Sequence, residues 1–223
     1  MIKGCMFDLD GTILNTLPTI THHGNRIMQS RGLPLYQAAD YRRFVGLGSR
    51  VLISRMLGGV GITDEGEREA AYRDYVASYD ADFKVGTVPY EGMPPLLTAL
   101  HEGGCRLAVL SNKPASSVEL LMKHYFSVPF THLIGGAEKA EWLKPSPHYA
   151  NEILADWGIS PEECMFVGDS PADVQTARAA NIAYPVAVTW GFTDRDVLEK
   201  ETHLVLDTPM EIYALYLQSA KER

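Results

Sequence analysis

An apolar run from Ile2 to Phe7, interrupted only by Lys3, opens directly into Asp8-Leu9-Asp10-Gly11-Thr12. That junction constrains the fold more than any other part of the chain. A short continuous apolar run bounded by turn residues predicts a buried strand. Side chains alternate faces along a strand, so Asp8 and Asp10 converge only where the strand ends and the backbone turns. Gly11 permits the turn because it has no Cβ to clash. Two acids at the carboxyl end of a buried strand lie where open α/β sheets hold their ligands. There one carboxylate can coordinate a hard cation and attack a phosphoryl group while the other handles protons. Taken alone, the motif leaves open a plainer reading in which both acids cap the following helix.

The rest of the chain alternates in character. From Thr19 to about Asp82 apolar residues recur at helical spacing, broken at Gly32-Leu33-Pro34, Gly46-Leu47-Gly48 and Gly58-Gly59-Val60-Gly61. This predicts helices near 18–31, 37–44, 49–57 and 64–83 with no strand among them. Val85 to Glu91 reads as a returning linker. Beyond it, helices are predicted over 94–102, 115–125, 147–157, 171–180 and 209–220. Strands are predicted over 106–110, 132–134, 165–167, 185–189 and, at an edge, 203–206. Strands alternating with helices imply βαβ units. The expected fold is therefore α/β, a Rossmann-like, mostly parallel sheet with helices on both faces. Residues 1–15 and 85–223 would form the core domain, and 16–84 a small α-helical domain inserted after the first strand.

Composition narrows the function. The 223 residues carry 28 acidic and 20 Lys or Arg side chains, a net charge of -8. Such a surface argues against nucleic acid or anionic membrane as partners. No apolar run is long enough to span a bilayer and no secretory leader is evident. Cys5, Cys105 and Cys164 are too scattered for a zinc pattern and read as small buried hydrophobes, which points to the reducing cytoplasm.

Three apolar runs end in acidic or hydrogen-bonding residues, at Asp8/Asp10, Ser111/Asn112 and Asp169/Asp173. In a parallel sheet these ends share one edge. Lys144, before Pro145, enters from a fourth loop. Phosphoryl transfer needs a nucleophile, a divalent cation, donors for the equatorial oxygens and a fixed positive charge. The four loops supply each of these.

With Asp-x-Asp-Gly-Thr, Ser111-Asn112-Lys113, Lys144-Pro145 and Gly168-Asp169-Ser170-x-x-Asp173 in that order, the sequence resembles the haloacid dehalogenase-like superfamily of hydrolases along its whole length. Tyr90-Glu91-Gly92, Phe44-Val45-Gly46-Leu47-Gly48 and the stretch from Val188 to Phe192 resemble its phosphoglycolate phosphatase-like branch. The helical insert resembles that family's cap. The resemblance implies a Mg²⁺-dependent phosphatase of small phosphate monoesters that works through an aspartyl-phosphate. It implies Asp8 as nucleophile, Asp10 as general acid and base, Ser111 and the Asn112 backbone on phosphate oxygens, and Lys144 as the neutralising charge. Gly11 and Thr12 fall in the same phosphate-binding group. Asp169 would bind Mg²⁺ together with an Asp8 oxygen and the Asp10 carbonyl, with Asp173 supporting that site. The partner expected is a small phosphorylated metabolite, and the chain is expected as a monomer or homodimer.

Two other readings share the pattern: a phosphomutase of the same fold acting on a sugar phosphate, and a non-catalytic phosphate-binding or regulatory module. A dehalogenase fits less well, because by resemblance dehalogenases lack the second acid. For a substrate carboxylate, Arg42, Arg43, Arg50 and Lys84 are candidates, with Arg50 ranked first. His22 and His23 read as surface residues of a helix, and Trp190 as a loop anchor. Asn15 stands where that branch usually has Asp.

Overall fold

The computed structural model describes residues 1–136 and 138–221. Among these, β1 (Gly4–Phe7), β4 (Arg106–Ser111), β5 (His132–Gly135), β6 (Cys164–Gly168), β7 (Tyr184–Val188) and β8 (Val205–Leu206) form one sheet in the order β5-β4-β1-β6-β7-β8. Every pairing within it is parallel. The apolar runs at β1, β4 and β6 are continuous rather than alternating because both faces are covered. Alternate residues nonetheless go to different sides. Cys5, Phe7, Leu107, Val109, Met165 and Val167 pack with α5 (Met93–Glu102), α6 (Ala115–Tyr125) and α10 (Pro209–Ser219). Met6, Ala108, Leu110, Cys164 and Phe166 pack with α7 (His148–Trp157) and Ala177 of α8 (Pro171–Ala179). The three cysteines are free and buried, as their apolar context predicts.

The insert is helical, as its periodicity predicts: α1 (Leu17–Ser30), α2 (Ala38–Phe44), α3 (Ser49–Gly58) and α4 (Glu65–Ala81). Asp64 caps α4, its carboxylate accepting from the Glu67 amide at 2.9 Å, and so satisfies one of the four amides a helix start leaves unpaired. The buried stripe of the insert, including Ile20, Tyr41, Leu52, Met56 and Tyr75, joins the core of the sheet's first face.

Three local expectations change. His23 is fully buried in α1, its ring bonded to Ser78 Oγ at 2.8 Å and to the Asp82 carbonyl at 3.1 Å. It fastens α1 to the end of α4 instead of facing water. The returning linker is partly strand: β2 (Leu14–Asn15) and β3 (Val88–Pro89) pair antiparallel where the chain enters and leaves the insert. A helix over 195–201, α9 (Arg195–Glu201), also falls in a stretch for which the sequence predicts no element, and Leu198 seals it against Val174 and Ala187. No helix among the described residues is long and apolar enough to cross a membrane.

Candidate active site

Because β1 sits between β4 and β6, the loops that follow these three strands open side by side at their carboxyl ends. Asp8 lies immediately beyond β1, Ser111 closes β4 and Asp169 follows β6. Together with the α2–α3 connection of the insert they line a cavity of about 410 Å³. Asp8, Asp10, Ser111, Asn112, Lys144 and Asp169 all face it.

Lys144 is the centre of the electrostatics. Its side chain is buried, with Nζ 2.8 Å from Asp8 Oδ1 and 2.6 Å from Asp173 Oδ1. Burial works against its charge, but Asp173 and Asp8 outweigh it and raise the ammonium's pKa above the ordinary lysine range. Asn112 fixes the Lys144 backbone from both sides: the side-chain amide donates to the Lys144 carbonyl at 3.1 Å, and its oxygen accepts the Lys144 amide at 2.8 Å. The same amide group reaches the Gly46 carbonyl of the insert at 3.4 Å.

Asp8, Asp169 and Asp173 each offer a carboxylate oxygen within 4.8 Å of the others. Burial pushes Asp8 up to about 6 despite Lys144, and desolvation with the neighbouring Asp173 and Asp8 charges pushes Asp169 well above the carboxylate range. With all three ionised against one ammonium, two negative charges would be left to balance in this buried site, and that cost is what raises Asp8 and Asp169. Hard oxygen donors with that charge suit a divalent cation such as Mg²⁺. Asp173 is not equivalent to the others. Its second oxygen accepts from the Ser170 amide at 3.0 Å and hydroxyl at 2.6 Å, so it braces Lys144 and the start of α8.

Asp169 is held on both oxygens, by Thr12 Oγ1 at 3.2 Å and by the Phe192 amide at 2.7 Å. Thr12 therefore spends its hydroxyl on Asp169, and the Gly11 amide is bonded to the Leu14 carbonyl at 2.9 Å. Gly11 has φ +87°, and a Cβ there would collide with the Asp169 carboxylate. Position 11 needs glycine both for the turn and for this close approach. Trp190 ties the loop after β7 to the same turn, donating Nε1–H to the Thr12 carbonyl at 3.0 Å.

The second acid has a partner that sequence reasoning missed. Lys113 Nζ lies 3.1 and 3.2 Å from the two Asp10 oxygens, beneath the Tyr79 ring of α4 at 4.0 Å from its centroid. Thr16 Oγ1 donates to Asp10 Oδ1 at 2.6 Å. The signal was the place of Lys113, directly after Ser111-Asn112 at a strand end that faces β1. Arg50, by contrast, does not line the cavity. It pairs with Glu69, and its guanidinium lies over the Tyr72 ring at 3.9 Å.

Comparison with known proteins agrees with this geometry. A profile for haloacid dehalogenase-like hydrolases matches residues 5–187. The phosphoglycolate phosphatase of Rhodospirillum rubrum is 31% identical over 213 residues, covering 93% of this chain and 88% of that protein. Phosphoglycolate phosphatase 1 of Pseudomonas aeruginosa is 33% identical over 221 residues, with 97% and 80% covered. A crystal structure from Haemophilus somnus 129pt, described as a predicted phosphoglycolate phosphatase, superposes with a TM-score of 0.88 at 26% identity, over 96% of this chain and 98% of that one. A match that runs from Cys5 in β1 to Ala187 in β7, well over half of the chain, places it in the haloacid dehalogenase-like family of hydrolases.

Proposed function

We propose that the protein is a Mg²⁺-dependent phosphatase that hydrolyses small phosphate monoesters, 2-phosphoglycolate first among them, through a phosphoryl group carried on Asp8. The observation that carries this reading is the buried Lys144 ammonium, 2.8 Å from Asp8, which itself clusters with Asp169 and Asp173. A carboxylate so placed is screened from repelling an incoming phosphate. The names of the relatives support the choice of substrate.

In this reading an Asp8 oxygen attacks phosphorus and the ester bond breaks, with Asp10 giving a proton to the departing alkoxide. Water then attacks the acyl phosphate, Asp10 takes its proton, and inorganic phosphate leaves as the Asp8 carboxylate is restored. Ser111 and the Asn112 backbone hold equatorial oxygens, and Lys144 offsets their charge. Asp8 and Asp169, with the Asp10 carbonyl, would hold Mg²⁺, which when bound supplies a further positive charge to the phosphoryl oxygens. Thr16 and Lys113 orient Asp10.

Residues 16–84 act as a cap over a body formed by 1–15 and 85–223. The β2–β3 ribbon, where both connections pair, is the natural hinge. Closure excludes bulk water from the acyl phosphate until it is attacked. Free, buried thiols and the acidic charge suit a cytoplasmic enzyme of a soluble metabolite.

The test is phosphate release from 2-phosphoglycolate with Mg²⁺ and with EDTA, together with acid-quench trapping of the acyl phosphate. Mg²⁺-dependent release with a trapped intermediate that vanishes in Asp8→Asn is expected. Turnover by Asp8→Asn at the wild-type rate would falsify the mechanism.

A further inference from the structure

The cationic side chains lining the cavity are Arg42, Arg55, Lys113 and Lys144. Three of them have an acidic partner. Lys144 sits between Asp8 and Asp173, Lys113 pairs with Asp10, and Arg42 reaches Asp194 at 3.5 Å. Arg55 has none among the described residues. Its Nη1 is instead fixed on two main-chain carbonyls at the end of α2, Arg43 at 2.9 Å and Phe44 at 3.1 Å. Those are carbonyls that a helix end leaves unpaired, so the guanidinium is anchored without being neutralised. Its remaining N–H groups have no hydrogen-bond partner among the described residues.

The arrangement is directional. Ser49, Leu52 and Arg55 follow one another at three-residue spacing on α3 and all line the cavity, so they form one stripe turned toward the chemistry. Arg50 lies off that stripe, which is why it meets Glu69. Asp8, Lys144 and Asp169, where a phosphate would be held, line the same cavity. A guanidinium anchored through one nitrogen, half-buried and unpaired, can still offer a fork of donors to a planar anion.

We infer that Arg55 binds the far end of the substrate and that this end is a carboxylate, so the enzyme selects short phosphate monoesters carrying an acid group over neutral esters. This deepens the phosphatase reading and rests on it. The selection acts through a charge-assisted contact that a neutral ester cannot make, and such contacts carry roughly tenfold to hundredfold discrimination.

The experiment compares 2-phosphoglycolate with ethyl phosphate for the wild type, Arg55→Gln and Arg55→Lys, and follows binding of 2-phosphoglycolate by calorimetry. The ratio of kcat/KM values, acid ester over neutral ester, should fall roughly tenfold to hundredfold in Arg55→Gln, mostly through KM, with partial recovery in Arg55→Lys. Equal losses on both esters would assign Arg55 to holding α2 alone and overturn the inference, as would an unchanged ratio. If the wild type turned over neither ester yet bound 2-phosphoglycolate in an Arg55-dependent way, the phosphatase reading would fall and the carboxylate site would stand. Neither turnover nor binding would remove both.

Discussion

Arg42 of α2 holds the carbonyl oxygen of Phe192 with two nitrogens, Nε at 3.1 Å and Nη2 at 3.0 Å. The amide of the same residue donates to Asp169, so the loop that positions an acid of the site is also the loop the insert grips. Arg42 is well exposed, and exposed pairs contribute about 1 kcal/mol or less to stability. Arg42→Ala should therefore leave the urea midpoint almost unchanged while raising KM severalfold and speeding amide exchange over 190–194. Unaltered exchange and KM would show that the grip does not matter in solution.

Lys144 offers the opposite balance. Removing a buried charge that compensates Asp8 and Asp173 leaves acids in a dry site, which costs about 3–5 kcal/mol. Lys144→Met should lose turnover and also unfold at clearly lower urea concentration. A variant as stable as the wild type would mean that the two acids relax without their partner.

Gly191 packs against Asp169 so closely that a Cβ would overlap the carboxylate. Gly191→Ala must displace Asp169 or the loop that carries residue 191. Displacing an acid that orients a metal site commonly lowers affinity roughly 10- to 100-fold. Calorimetric titration with Mg²⁺ should register that loss, and an unchanged affinity would argue against Asp169 as a ligand.

His23 sets an acid limit on stability. Burial lowers its pKa, with His22 and Arg26 adding to the effect and the Asp82 carbonyl opposing it. The unfolded chain, with an imidazole near pKa ~6.5, binds the proton more readily than the folded one. The stability His23 contributes is thus complete above that value and is lost as pH falls from there through the lower folded-state pKa. Denaturation midpoints between pH 8 and 5 should fall more steeply for the wild type than for His23→Gln. Parallel slopes would remove His23 as the cause.

Much of this architecture is legible in one chain because its signals are long or repeated. Helices α1 to α4 have a clear apolar period, and β1, β4 and β6 are uniform runs that end in polar residues. The β2–β3 ribbon left no such trace: two residues a side carry no period, and Pro89 reads as a turn. The partnership of Lys113 with Asp10 joins positions far apart in sequence and depends on two strands lying side by side. Arg50 and Arg55 look alike in a string of letters. Only the phase of α3, set by which side chains the insert buries, tells the one that faces the cavity from the one that meets Glu69.

The central place of β1 has a consequence for how the molecule is made. Its hydrogen-bonding neighbours are β4 and β6, and β6 begins about 160 residues after β1. At ~5–20 residues per second, a ribosome needs on the order of ten seconds or more to deliver the last of them. Until then the apolar strand bearing the proposed nucleophile waits with at least one open edge, while the local helices of the insert are already free to form. Over that interval nascent β1 needs shielding, because an unpaired strand edge is a template for pairing with another chain.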